Sequence, residues 1–322
     1  MKETILITGA AGFIASNLVD KLANNYNIVA VDDFNDFYSP EIKRNNISAH
    51  INKDYFKMYE LDIAKPSLLR KVFEENKIDK VVHLAARAGV RPSLIDPSLY
   101  VTTNITGTTN LLELSKEFNI KHFVFGSSSS VYGVSDQVPF REDFDISKPI
   151  SPYAATKAAG ESLCYTYSYL YDMRIICLRF FTVYGARQRP DLAIHKFTKL
   201  IDNNKPIPVF GDGSTRRDYT YIDDILQGVV AAIDYNISKY DIFNLGESRA
   251  IELSKLIELI EVNLGKKAII ERHPIQPGDV PITFADISKA NKYLNYNPTT
   301  NIEVGIKNFV SWYKTLKNRI TV

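Results

Sequence analysis

Short apolar runs alternate with segments of helical spacing through the first half of the chain. Residues 5–8 form one such run, and it stops at Gly9. Phe13, Ile14, Leu18, Val19 and Leu22 then recur at the intervals of an amphipathic helix, which predicts a helix over 13–24. Further strands are predicted at 27–31, 80–84, 122–125 and 174–179. Helices are predicted in a stretch that includes 110–118 and at about 153–171. Apolar strands alternating with helices imply a parallel sheet with helices on both faces. After about residue 181 the pattern loosens. Pro190, Pro206, Pro208, Pro274, Pro277, Pro281 and Pro298 punctuate it, and Gly211-Asp212-Gly213-Ser214 reads as a turn. Helices at about 253–264 and 301–316 lie among loops. The fold expected is α/β, a doubly wound parallel sheet followed by a smaller C-terminal domain, with the boundary near residue 180.

Composition narrows the function classes. In 322 residues, 39 Lys and Arg oppose 37 Asp and Glu, a net charge of +2, so no large field draws nucleic acid or anionic lipid. Cys164 and Cys177 are the only cysteines, too few for a disulfide framework or a four-cysteine zinc site, and both sit in apolar surroundings. The first apolar run is too short for the core of a signal peptide, and no stretch of about 18 apolar residues is present. The expectation is a cytoplasmic protein without nucleic-acid, membrane or metal partners.

Three local patterns carry chemistry. Thr8-Gly9-Ala10-Ala11-Gly12-Phe13-Ile14-Ala15 joins the first strand to the first helix. Glycine permits the sharp turn and the close approach of a pyrophosphate, and the helix start offers free N–H groups. Asp32 closes the second strand 23 residues after Gly9, where a carboxylate can bind ribose hydroxyls and repel a 2′-phosphate, favouring NAD over NADP. Tyr153 and Lys157 stand four apart on one helical face, so the lysine can favour the phenolate of a tyrosine whose free pKa is about 10. Ser127-Ser128-Ser129-Ser130-Val131-Tyr132-Gly133 follows a strand, at the sheet end where ligands bind in open α/β folds. Taken singly, each pattern also has a plain reading: a tight turn without a ligand, an amphipathic helix surface, and a serine-rich turn, the last being preferred for the serines seen alone.

Together these residues closely resemble the extended short-chain dehydrogenase/reductase family, specifically its nucleotide-sugar 4-epimerases, over essentially the whole chain. The resemblance implies a Rossmann-type NAD domain at 1–180, with return segments from about 220–247, and a UDP-sugar-binding domain at 181–322. It implies a catalytic triad of Ser128, Tyr153 and Lys157, with Ser128 and Tyr153 separated by 25 residues as in the UDP-galactose epimerases. Gly9, Gly12, Phe13, Ile14, Asp32, Asp33, Asn35, Asp62, Ile63, Leu84, Ala85, Ala86, Asn104 and Phe180 are then expected to join Tyr153 and Lys157 around NAD. Ser128, Ser129, Thr182, Arg189, Asp191, Val209, Phe210, Arg217, Gln276, Asp279 and Thr283 are expected around the UDP-sugar. Alanine at position 15, where the family often has glycine, is small enough for helix–sheet packing.

Thr182, Gln276, the stretch from Asp33 to Tyr38 and the stretch from Ala86 to Arg91 resemble UDP-glucuronate 4-epimerases more than galactose epimerases. Thr283 stands for a bulky tyrosine found in some galactose epimerases, which implies room for UDP-N-acetylglucosamine. The implied reaction is transient oxidation at C4, rotation of the 4-keto sugar and return of the hydride to the other face, with NAD staying bound. The 4,6-dehydratases and uronate decarboxylases of the same family are alternatives. Typical dehydratases carry Asp-Glu where Ser129 and Ser130 stand, and decarboxylases usually carry Glu in the second place. A non-catalytic NAD-binding sensor is the alternative of another class, and it would be expected to lack Tyr153 or Lys157. The resemblance also implies a homodimer through the helices containing 110–118 and 153–171, with Tyr165, Tyr169 and Phe118 as the aromatic face.

Overall fold

The structure, a computed structural model, describes residues 2–135, 137–274 and 282–317. The strands are β1 (Thr4–Thr8), β2 (Asn27–Asp32), β3 (Phe56–Glu60), β4 (Lys80–His83), β5 (His122–Ser128), β6 (Arg174–Phe180), β7 (Thr182–Tyr184), β8 (Pro206–Phe210), β9 (Arg216–Tyr221), β10 (Tyr240–Leu245), β11 (Ala250–Glu252) and β12 (Ile269–His273). Seven of them form one parallel sheet in the order β10-β6-β5-β4-β1-β2-β3. The doubly wound parallel sheet expected from the apolar alternation is therefore present, with helices on both faces.

The two faces bury different sets of residues, because successive strand residues point to opposite sides. One face carries Val81, Phe123, Phe125, Ile175 and Cys177 under the helices Pro66–Glu75, Gly107–Glu117 and Pro152–Tyr171. The other carries Ile5, Ile7, Val124, Ile176 and Leu178, and its core runs on without a break into the C-terminal part through Tyr184, Phe197, Ile257 and Phe309. The chain returns to the sheet after residue 181: helix Ile222–Ile233 packs on it and β10 extends it beside β6. The small sheets β11-β9-β7 and β12-β8 build the remainder. No helix among the described residues is long and apolar enough to cross a membrane.

The sheet order reverses between β1 and β4, which run parallel with Thr8 opposite His83. The strand on one side of this point is connected outward in one direction and its neighbour in the other, so a crevice opens beyond their carboxyl ends. Helix Pro152–Tyr171 borders that crevice. Its start is specified locally: the Ser151 hydroxyl accepts from the Ala154 amide at 3.1 Å, and Pro152 occupies the first turn, where its missing N–H costs nothing. Gly160 then lets the helix settle on β5, since a β-carbon there would stand 2.4 Å from Phe125 Cζ.

Some elements differ from the sequence expectation. β5 continues to Ser128, and residues 129–132 form a single 3₁₀ turn, so Ser128 belongs to the sheet and Ser129 to the turn. A π-helical turn, Val101–Thr106, precedes helix Gly107–Glu117. Phe118 does not share a face with Tyr165 and Tyr169. It packs against Phe73, centroids 5.5 Å apart, beside the core, whereas Tyr165 and Tyr169 stack on each other at the surface.

Candidate active site

A cavity of about 420 Å³ fills the crevice. Its wall at the β1 end is backbone. Gly9 has φ +69°, a left-handed conformation that favours glycine. Gly12 donates its N–H to the Gly9 carbonyl at 2.9 Å and leads into helix Phe13–Leu22, whose first turn has neither a side-chain cap nor an acidic residue. The helix N–H groups are thus left for an anionic ligand.

Asp32 is buried at the end of β2. Its two oxygens accept the amides of Ala11 at 3.0 Å and Phe34 at 2.9 Å, which fixes the carboxylate while leaving further lone pairs for hydroxyl donors. Burial pushes its pKa up, against the pull of the Phe34 amide and the nearby Lys43. Lys43 comes from helix Pro40–Ile47, is itself buried, and donates to the Asn35 carbonyl at 2.7 Å. Arg87 pairs with Asp33 at 3.5 Å. Two acids and two cations therefore face each other at this end of the cavity.

The other end collects the reactive groups. Ser128 from β5, Ser129 from the turn, Tyr153 and Lys157 from helix Pro152–Tyr171, and Phe180 from β6 all line it. The Lys157 ammonium donates to the Gly126 carbonyl at 2.6 Å and lies 5.1 Å from the centre of the Phe125 ring. Burial lowers its pKa to about 8, so it remains a cation at neutral pH. Burial raises Tyr153, while its hydrogen bond with Ser128 and the charge of Arg189 lower it. Arg189 is held by a bidentate pair with Asp191 at 3.0 and 2.8 Å. The site thus offers a proton acceptor, a hydroxyl and two cations within one wall.

A second cavity of about 270 Å³ adjoins the first and shares Thr182 and Leu192 with it. Phe210 and Arg217 line it, with Arg91, whose guanidinium stacks 4.4 Å above the Phe210 ring. A flat aromatic ring next to two guanidinium groups suits a heterocycle joined to an anionic group.

Most expected residues meet here. Gly9, Gly12, Phe13, Ile14, Asp32, Asp33, Asn35, Asp62, Ile63, Leu84, Ala85 and Ala86 line the first cavity with the reactive groups and Arg189. Asp191, Phe210 and Arg217 line the second, and Thr182 faces both. Three residues stand off both walls, contrary to expectation. The Asn104 amide is consumed inside the protein: it accepts from the Arg87 amide at 2.8 Å and donates to the Arg87 carbonyl and Thr156 Oγ1, each at 3.0 Å. Val209 alternates with Phe210 along β8 and is turned into the core. Thr283 accepts from the Asp218 amide at 3.3 Å and donates its own amide to Arg216. Gln276 and Asp279 lie outside the described residues. Lys43 and Tyr38 also line the first cavity, and neither is among the site residues that the sequence implies. Lys43 had no signal in the sequence, because the helix that carries it is polar overall.

Fold and comparisons together define an NAD-dependent α/β enzyme, and Ser128, Tyr153 and Lys157 line one wall of its first cavity. The chain belongs to the NAD dependent epimerase/dehydratase family, whose model matches residues 5–246. It is 45% identical over 311 residues to a UDP-glucuronate 4-epimerase of Thermodesulfobacterium geofontis, covering 96% of this chain and 95% of that one. Its structure superposes with a TM-score of 0.92 on a UDP-glucuronic acid 4-epimerase from Bacillus cereus crystallised with UDP-glucuronic acid and NAD, at 39% identity and 97% and 99% coverage. A UDP-glucose 4-epimerase of Thermotoga maritima with UDP-glucose superposes with a TM-score of 0.89, at 30% identity and 98% and 99% coverage.

Proposed function

We propose that this protein is an NAD-dependent UDP-sugar 4-epimerase, an isomerase, whose substrate is UDP-glucuronate. The observation that carries the reading is the joining of the two cavities at Thr182, with Ser128, Tyr153 and Lys157 on the wall of the first and Arg217 and Phe210 on the wall of the second. The first cavity suits NAD: the Gly9 turn and the uncapped helix start fit a pyrophosphate, and the fixed Asp32 carboxylate fits a ribose diol. When bound, NAD supplies reversible acceptance of a hydride.

The chain's own residues do the rest. Tyr153, as phenolate, takes the proton of the sugar 4-hydroxyl and later gives it back. Ser128 donates a hydrogen bond to the oxygen as it becomes a carbonyl. The hydrogen bond with Ser128 and the charge of Arg189 offset the burial that otherwise raises the tyrosine. Lys157, one turn further along the same helix, keeps a positive charge in the same cavity. Arg217 neutralises the diphosphate and Phe210 stacks on the uracil. Ser129 and Thr182 present hydroxyls, and Arg189 a charge, to a sugar carboxylate. Neither Ser129 nor Ser130 can serve as the acid–base pair of a dehydratase.

The domains we propose are 1–180 with the returning segment 220–247 for NAD, and the rest of 181–322 for the UDP-sugar. We further propose a homodimer through helices Gly107–Glu117 and Pro152–Tyr171. Tyr169, on one of these helices, is 77% exposed, and Ile95, at the end of helix Val90–Ile95, is 86% exposed; an interface that covered them would remove their apolar surface from water.

The deciding experiment incubates purified protein with UDP-glucuronate, UDP-glucose or UDP-N-acetylglucosamine and separates the epimers. UDP-galacturonate is the product expected, faster than either other epimer. Release of carbon dioxide or a 4-keto-6-deoxy sugar without any epimer would overturn the reading.

A further inference from the structure

One buried ion pair lies beneath the site without lining either cavity. Glu161 and Arg179 are each 2% exposed, and Arg179 forks onto the Glu161 carboxylate through Nε at 2.9 Å and Nη2 at 2.7 Å. The third corner is Ser127, whose hydroxyl donates to Glu161 Oε1 at 2.5 Å. Resting on the epimerase reading above, we propose that Glu161 and Arg179 are positioning residues that fix Tyr153 and Lys157 against Ser128.

The placement follows from two periodicities. On helix Pro152–Tyr171, Tyr153, Lys157 and Glu161 are spaced four apart and share one face, which lies on β5 and β6. Along β5, Ser127 follows Phe123 and Phe125 on the face under that helix, whereas Ser128 follows Val124 on the other. Glu161 therefore ties the helix that bears the phenol and the ammonium to the residue adjoining Ser128. Arg179 sits opposite Ser127 in the pairing of β5 and β6, so its guanidinium rises at the same level.

The same guanidinium reaches forward as well. Nη1 donates to the Tyr132 hydroxyl at 2.9 Å and to the Glu142 carbonyl at 3.2 Å, and Tyr132 donates in turn to Asn244 at 2.6 Å. Tyr132 ends the 3₁₀ turn that begins right after Ser128. One planar group thus holds the helix on one side and the turn on the other, with Ser128 between them. An apolar pair of equal volume would fill the space. It would not fix direction, which a bidentate fork does. Misplacing reacting groups by about 1 Å can cost on the order of a hundredfold in rate.

Arg179→Lys is the test, because it keeps a cation beside Glu161 and removes the fork. In UDP-glucuronate epimerisation, kcat per NAD-loaded site is expected to fall by about tenfold to a hundredfold. KM and NAD per chain should stay near the wild-type values. Amide exchange in residues 129–132 and 153–157 should quicken. A role confined to stability would lower the melting temperature and leave kcat per loaded site and these exchange rates unchanged; that result overturns the proposal. Ser127→Ala leaves the ion pair intact and should lower kcat by about threefold or more, so it decides alone if Arg179→Lys does not fold, and a wild-type kcat then overturns the proposal. If the wild-type protein epimerises no UDP-sugar, the functional reading fails, while the exchange comparison still tests the clamp.

Discussion

Gly9 and Ala85 meet where the sheet order reverses. A β-carbon built on Gly9 would stand 2.8 Å from both the amide nitrogen and the Cα of Ala85, a contact with rigid backbone. The left-handed φ of Gly9 adds about 1–2 kcal/mol for any residue with a side chain. Gly9→Ala is therefore expected to push the β1 turn away from the strand end after β4 and spoil the pyrophosphate cradle. NAD per purified chain should fall to about a tenth or less of the wild-type content. Release of nucleotide by denaturation, followed by an enzymatic assay, measures it. Full NAD content in a Gly9→Ala protein would contradict the cradle.

His83 makes acid stability predictable. The ring is buried between Thr8 Oγ1 at 2.7 Å and Thr108 Oγ1 at 2.9 Å. Burial, with a smaller contribution from Lys157, lowers its pKa to about 3. The unfolded chain takes up this proton near pH 6.5 and the folded one does not until about pH 3, so stability falls as pH drops through that window. The loss from this group alone approaches about 1.4 kcal/mol per pH unit. Burial also lowers His122 and His195, which add slopes of the same sign. His83→Gln keeps polar contacts with both threonines but cannot ionise. Urea unfolding between pH 7.5 and 5 should show a shallower loss in the variant, and equal slopes would refute a neutral buried His83.

Sequence patterns disclosed the parts of the site whose signal is local. The Gly9 turn, Asp32 at a strand end and the four-residue step from Tyr153 to Lys157 need only neighbours to be read. Residues that act through distant partners were not legible in this way. Asn104 resembles a cofactor residue by motif, yet its amide is spent on Arg87 and Thr156, contacts 17 and 52 residues away. Val209 and Phe210 are adjacent in a matching segment, and only the strand placement decides that Phe210 meets the cavity and Val209 the core. β3 leaves no strand signal because Phe56–Glu60 is an edge strand with Lys57 and Glu60 exposed, so it lacks the apolar run of a central strand. The pairing of Glu161 with Arg179 depends on the sheet register and leaves no mark in the spacing.

The proposed homodimer can be split at its exposed apolar positions. Ile95 and Tyr169 are mostly exposed in the single chain, and Tyr169 gives up only its surface stacking on Tyr165, so their replacement by acids should cost the monomer little. In a helix-packed interface the same charges would be buried without partners. Ile95→Asp combined with Tyr169→Glu is expected to halve the mass seen by light scattering at micromolar concentration, with an unchanged far-ultraviolet circular dichroism spectrum. A wild-type protein that is already monomeric under those conditions would rule the dimer out.

Tyr153→Phe separates chemistry from binding. The aromatic ring packs edge-on against Tyr100, with centroids 6.2 Å apart, and phenylalanine preserves that contact. What is lost is the phenolic oxygen and its bond with Ser128, and with them the proposed acceptor of the 4-hydroxyl proton. General base catalysis of this kind contributes roughly 10²–10⁴-fold, so kcat should fall by that factor. NAD content and the dissociation constant for UDP-glucuronate, read by calorimetry, should remain within about threefold of wild type, because the groups that hold them lie elsewhere on the two cavity walls. Ser128→Ala should lower the rate less, since a hydroxyl of the adjoining turn or a water can bond the forming carbonyl in part. A Tyr153→Phe protein that retains NAD, melts like the wild type and turns over at the wild-type rate would show that the proton leaves by another route, and the assignment of the base would fall.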